Sequence, residues 1–296
     1  MQIVRPEPVT EDRLTSSDVP LDDYPVWSSV TYTAGDRVLV DIEAYEAIVD
    51  TSDEPVAGSQ KKTPTWLRLG YANRWRMFRD GRDSKTTQDG GINAVVTPSQ
   101  VVNGLALLGL EGLSVTVTMT DPVEGQVYQK TRSITDIGVG NWYDWYFAPY
   151  GIKEDHVFTD LPPYPGADIE ISVQTASPTD ASAVGRFVIG MVRDLGITLY
   201  GTSVRTQDFS VRERDGFGNV TITRRRHIKL CDYQVAVATQ RVDYVKRELD
   251  NIASQETVFI GSDQFGSTVI FGFYRDFDIT ISNYGVSDAT IEVEGY

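Results

Sequence analysis

A two-residue alternation of apolar and polar side chains sets the tightest limit on what this chain can fold into. Leu113, Val115, Val117 and Met119 fall on one side of the alternation, and Ser114, Thr116, Thr118 and Thr120 on the other. Ile169, Ile171 and Val173 repeat it against Asp168, Glu170, Ser172 and Gln174. Successive side chains of a strand point to opposite faces, so each segment predicts a strand with one buried and one wet face. Turn signals recur at short intervals, at Asp121-Pro122, Glu124-Gly125, Gly138 to Asn141 and Pro162 to Gly166. Strands spaced this way predict an antiparallel, jelly-roll-like β-sandwich over residues 81–204. Within it, Asn141 to Tyr150 reads NWYDWYFAPY. Alternation there puts Tyr143, Trp145 and Phe147 on one face and Trp142, Asp144 and Tyr146 on the other. One set is then open to stack on a saccharide or a neighbouring subunit, unless domain packing covers both.

The flanking regions follow other rules. Residues 1–25 are polar, with prolines at 6, 8, 20 and 25, and predict an extended arm without a core of its own. Residues 26–80 predict a small β module: a strand from Val26, a turn at Ala34, Gly35 and Asp36, then two strands carrying Val38, Val40, Tyr45, Ala47 and Val49. The stretch Trp66 to Gly81, WLRLGYANRWRMFRDG, interleaves Trp66, Tyr71, Trp75, Met77 and Phe78 with Arg68, Arg74, Arg76 and Arg79. Guanidinium groups stack on aromatic faces, which suits a packed boundary between two β units; a sugar or nucleic-acid platform would use the same residues. The boundary reading expects Trp75 and Phe78 to be buried between the first two domains. Beyond residue 204, VRERDGFGNVTITRRR predicts a projecting hairpin that turns at Asp215-Gly216 and Gly218-Asn219. Its Arg224, Arg225 and Arg226 are a basic cluster able to grip an acidic group, but on a strand they read first as protection of an edge from pairing with neighbours. Val242, Val245, Leu249 and Ile252 fall at helical spacing, and the strands around them complete a small C-terminal α+β domain over 205–296, with a split β-α-β arrangement. The fold class is therefore mainly β.

Composition narrows function. With 42 acidic against 27 basic residues, the formal charge of −15 argues against a nucleic-acid partner, since such affinity comes largely from cations displacing counterions. Cys231 is the single cysteine, which leaves no disulfide framework and fits folding in a reducing cytoplasm. Neither a signal peptide nor an apolar run long enough for membrane insertion is evident. The two histidines, His156 and His227, sit in no metal or nucleophile motif, and Asp80, Asp83 and Asp89 lack the spacing of a calcium loop. No catalytic residue, metal or cofactor is expected.

Two resemblances give the chain a context. Trp27, Tyr32, Gly35, Asp36, Val38, Tyr45, Ala47, Pro64 and Trp66 follow the order and spacing of the small chitin-binding-type carbohydrate modules, and this segment resembles that family. Where that family carries its exposed aromatic pair, this chain has Ile48, Val49, Asp50, Thr51 and Ser52. Gly70, Asn73, Arg74, Trp75, Met77 and Phe78 match a motif of a group of tailed-bacteriophage virion proteins, with Arg79 before Asp80 as a departure. That likeness extends to Gly216, Phe217, Gly218 and Asn219. It implies a non-enzymatic structural component of a phage tail, baseplate or neck, made in the host cytoplasm. Its partners are then copies of itself and other virion proteins, in a symmetric homo-oligomer within the virion. The alternative is an adsorption protein that binds host-surface glycan through Trp27, Tyr45, Trp142 or Tyr143, and a polysaccharide depolymerase is the third reading. Trp66, Asn73, Arg74, Trp75 and Phe78 are the expected domain-junction residues.

Overall fold

The computed structural model describes residues 1–21, 23–79, 84–136, 142, 151–214, 216–262 and 265–295. The protein is mainly β, and its strand ladders are antiparallel. A five-stranded sheet runs in the order Gly125–Ser133, Ser114–Asp121, Asp168–Gln174, Ile92–Val96, Leu14–Ser17. It faces one half of a ten-stranded sheet, the half formed by His156–Phe158, Gly104–Leu108, Arg186–Asp194 and Gln2–Pro6. The alternation decides which side chains meet. Val115, Val117, Met119, Ile169, Ile171 and Val173 are buried against Leu105, Leu107, Phe158, Phe187 and Ile189. Leu113 lies one residue before its strand and is exposed.

The large sheet continues from Gln2–Pro6 into Thr257–Ile260, Val269–Thr280, Val286–Gly295 and His227–Ala238, which Ile197–Thr198 and Ser203–Asp208 also join. It curls into a half-barrel. On its other face Val4, Ala106, Leu108, Val188, Val258, Ile260, Val269 and Phe271 form a separate apolar cluster. Lys229 reaches across the curl to Asp155 at 3.2 Å, and the guanidinium of Arg186 lies 5.1 Å from the Phe271 ring centre. The strand Ser203–Asp208 spans the boundary expected at 204/205, so the sandwich and the C-terminal part share one continuous sheet.

Helix Val242–Asn251 buries Val245 and Leu249 on Tyr233, Val235, Ile291 and Val293, as its spacing predicts. The split β-α-β arrangement is not what forms. That arrangement needs the strands joined by the helix to run parallel with one strand between them. Here the hairpin of Val269–Thr280 and Val286–Gly295 fills the gap, so His227–Ala238 and Thr257–Ile260 run antiparallel.

The first residues are extended, but they are central. Ile3 pairs with Arg193 on one side and Phe259 on the other, and Ile3 and Val4 are fully buried. Pro6, which has no N–H to donate, ends the strand opposite Gly190. A Cβ on Gly190 would lie 1.8 Å from the Arg5 carbonyl oxygen, so only glycine lets the two backbones approach this closely. Leu14–Ser17 then joins the facing sheet, which ties both layers of the sandwich to the first twenty residues.

Residues 26–79 contain the small module, a three-stranded sheet of Arg37–Val40, Glu43–Ala47 and Trp66–Tyr71. Val38, Tyr45, Ala47 and Trp66 fill its core, with Trp27 and Tyr32 packed against them.

Gly190→Ala is expected to destabilise the fold by about 3 kcal/mol, the cost of forcing backbone apart in a packed interior. Gly216, which has nothing within 4 Å of a built Cβ, is the control, and Gly216→Ala should leave the denaturation midpoint unchanged. Urea unfolding of the two variants checks both.

Candidate functional site

Three places in the fold hold the residues of interest: the junction stretch, the module aromatics and the trough of the hairpin.

At the junction each motif residue has a structural task. Trp66 belongs to the module, where its indole N–H donates to the Asp53 carbonyl at 3.0 Å and Tyr32 meets it edge-on at 5.3 Å. Residues Asn73–Arg79 form a short helix. Asn73 clamps its start: the side-chain amide donates to the Thr87 carbonyl at 2.6 Å and the side-chain oxygen accepts from Thr87 N–H at 2.9 Å. Thr86, fully buried, donates its hydroxyl to the Asn73 carbonyl and accepts from Met77 N–H. Arg74 donates to the Val19 carbonyl at 2.6 Å. Trp75, Met77 and Phe78 then enter the sandwich core, where the Phe78 ring contacts Trp75 at 5.8 Å and Phe187 at 5.3 Å. The two tryptophans thus serve two cores. Arg68 stacks over Tyr71 at 4.7 Å and pairs with Glu43 at 2.6 Å. These partners fix the module to the sandwich, and Trp66, Trp75 and Phe78 are buried.

Of the aromatics expected to contact carbohydrate, Trp27 and Tyr45 belong to the core of the small module. Tyr45 is buried, and its hydroxyl donates to Glu43 at 2.7 Å. Burial, and then that bond, push its pKa up to about 12. Trp27 is half-buried on the same core, and its indole N–H is buried without a hydrogen-bond partner. Trp142 is 82% exposed, while Tyr143 and the rest of the aromatic segment lie outside the described residues.

The hairpin offers a different kind of surface. Val211–Arg214 and Val220–Thr223 pair antiparallel, with Arg212 opposite Ile222 and Arg214 opposite Val220. Alternation therefore gathers Arg212, Arg214, Val220, Ile222 and Arg224 on one exposed face. At its root an open trough of about 510 Å³ is lined by Asp208, Arg212, Ile222, Arg224, Arg225 and His227 among others. Side-chain and backbone hydrogen bonds from Ser210 hold the Asp208 carboxyl below its ordinary value. Arg212 approaches Asp208 only to 3.9 Å, and Arg214, Arg224 and Arg225 have no acidic partner among the described residues. Unpaired guanidinium groups beside apolar side chains suit carboxylates carried on an apolar support. The sequence held this signal, since Arg212 and Arg214 on one strand and Val220, Ile222 and Arg224 on the other share the period of two.

His156, by contrast, belongs to the interior. It is 4% exposed, and its Nε2 has no partner. Burial, with Lys153 and Arg132 nearby, lowers its pKa from 6.5 to about 4. A scan against protein-family models finds no match, and a search of curated proteins finds none either.

The histidine gives a signed prediction. The unfolded chain takes up a proton near pH 6.5 and the folded chain only near pH 4, so stability is lost as pH falls through that window. The loss is expected to be on the order of 1–3 kcal/mol. It should shrink in His156→Gln when unfolding free energies are compared at pH 7 and pH 4.5. Phe78→Ala should cost about 3–5 kcal/mol from its place in the core, whereas Trp142→Ala should leave the same unfolding curve within about 0.5 kcal/mol of the parent.

Proposed function

We propose that this chain is a non-enzymatic structural component of a tailed-phage virion, placed in the tail, baseplate or neck, where it assembles as a symmetric oligomer. The observation that carries the assembly reading is the projecting hairpin. Both of its strands are almost wholly exposed, with Val220 at 50% and Ile222 at 56%. A two-stranded ribbon alone is marginal in water, and β-branched residues gain nothing from display to solvent. Such a ribbon is stabilised when a partner covers it. The virion setting rests on the motif resemblance around Asn73 to Phe78. The rigid clamping of those residues supports a role in fixing one structural unit to another.

A second reading, glycan adsorption, is favoured by one observation, the 82% exposure of Trp142. An exposed indole face suits stacking on a sugar ring. Calorimetric titration with host-surface saccharide distinguishes the two, since saturable binding that Trp142→Ala abolishes supports adsorption.

Electron microscopy of particles made without the protein tests the leading proposal. Incomplete or non-infectious particles are expected, and intact, fully infectious ones would sink it.

A further inference from the structure

The basic hairpin has an acidic counterpart on the ladder that flanks the strand from which it leaves the large sheet. On the ladder between Val269–Thr280 and Val286–Gly295, Asp276 lies opposite Glu292, Asp278 opposite Thr290 and Thr280 opposite Asp288. These side chains alternate with Phe277, Ile279, Ala289 and Ile291, which pack under the helix, so the acids occupy the uncovered face. Asp276, Asp278, Asp288 and Glu292 are all exposed, and none has a cationic partner among the described residues. Like charges directly across a ladder destabilise it. The end of this hairpin also exposes Ile281 at 67%, Tyr284 at 92% and Val286 at 44%. It is thus an acidic, partly apolar projection.

The trough is its complement. From Val211 to Arg226 the chain carries five arginines against Glu213 and Asp215, a net of +3 within a molecule of −15. The two surfaces diverge within one copy. His227 pairs with Asp208 at the start of the strand His227–Ala238, and the basic ribbon leaves the sheet from there. Asp288 pairs with Ala236, close to that strand's far end.

We propose that the hairpin trough of one copy receives the acidic end of the Val269–Gly295 hairpin of a second copy, with Arg214, Arg224 and Arg225 facing Asp278, Asp288 and Glu292. Val220 and Ile222 cover Ile281, Tyr284 and Val286 in the same contact. Two different patches meet, so the interface is heterologous and builds a ring if the rotation closes and a filament if it does not. The inference gives the assembly reading its contact surfaces and rests on that reading only for its setting in a particle.

Sedimentation velocity on the full chain tests it. At about 50 mM salt, concentration-dependent oligomers are expected, and raising salt to about 500 mM should weaken them about tenfold. Neutralising the trough (R224Q/R225Q) or the acidic end (D278N/D288N) should each raise the dissociation constant about tenfold or more. An equal mixture of the two variants retains one competent pairing, so it should give a one-to-one complex and nothing larger. Circular dichroism confirms that the variants fold, since none of the four residues is in a core.

A chain that stays monomeric at low salt, or association that neither pair of changes weakens, overturns the proposal. So does a trough variant that loses affinity for duplex DNA while its self-association is unchanged. Intact particles made without the protein, together with variant-sensitive oligomers, would reject the virion setting and keep the interface. Defective particles with variant-insensitive association would do the reverse.

Discussion

The strand Gln2–Pro6 is the interaction on which the rest of the structure depends. It pairs with Arg186–Asp194 on one side and Thr257–Ile260 on the other, and among the described residues no other strand joins those two halves of the large sheet. Its two faces serve different cores. Ile3 packs with Phe259 and Ile270 on the helix side, and Val4 packs with Val188 and Val258 inside the half-barrel. Without it, two long sheet edges would stand unpaired, the condition that invites pairing with other chains. The partners lie roughly 190 and 255 residues away in sequence, so folding is expected to be slow. Close approach at Gly190 and the end of the ladder at Pro6 are local conditions for this global closure.

The junction shows the same economy on a smaller scale. Trp66 and Trp75 are nine positions apart and are buried in different cores, so the stretch between them is held at both ends. Arg68, Arg74 and Arg76 act through carbonyls, a ring face and a carboxylate. Arg74 reaches the Val19 carbonyl and Arg76 the Tyr71 carbonyl, which ties the short helix to two segments that precede it in the chain. A module anchored this way moves with the sandwich. Its surface is therefore presented at a fixed angle, whatever it meets.

How much of this was legible depends on whether the information was local. Alternation at Val115 to Met119 and at Ile169 to Val173 is a property of neighbours, and those strands and their buried faces follow from it. The helical spacing of Val245 and Leu249 is equally local. Strand pairing is not. QIVRP is short, contains a proline and an arginine, and sits among polar residues, so its central position depends on partners nearly two hundred residues away or more. The helix Asn73–Arg79 was hidden for another reason. At seven residues it is too short to show a period, and its apolar side chains are set by the space beside Phe187. At the candidate sites, residue type misled for the aromatics. Tyr45 resembles a sugar-stacking residue in sequence and is a core residue in space, because its strand faces Trp66. The hairpin face was readable in principle, since its arginines and β-branched residues keep the strand period.

The molecule thus combines a body whose strands are closed over long distances with a ribbon that has almost no closure of its own. Amide hydrogen exchange measured residue by residue compares the two directly. Exchange reports local opening, which spans near-zero cost in exposed ribbons to the full unfolding free energy in central strands. In the dilute chain, the amides of Ile3 and Val4 should exchange only through global unfolding, as slowly as those of Phe259 and Val192. The amides of Val211 to Arg214 and Val220 to Thr223 should exchange orders of magnitude faster. Rapid exchange at Ile3 and Val4, with the rest of the sheet still protected, would contradict the account, because it would make the first strand an attachment rather than the joint of the sheet.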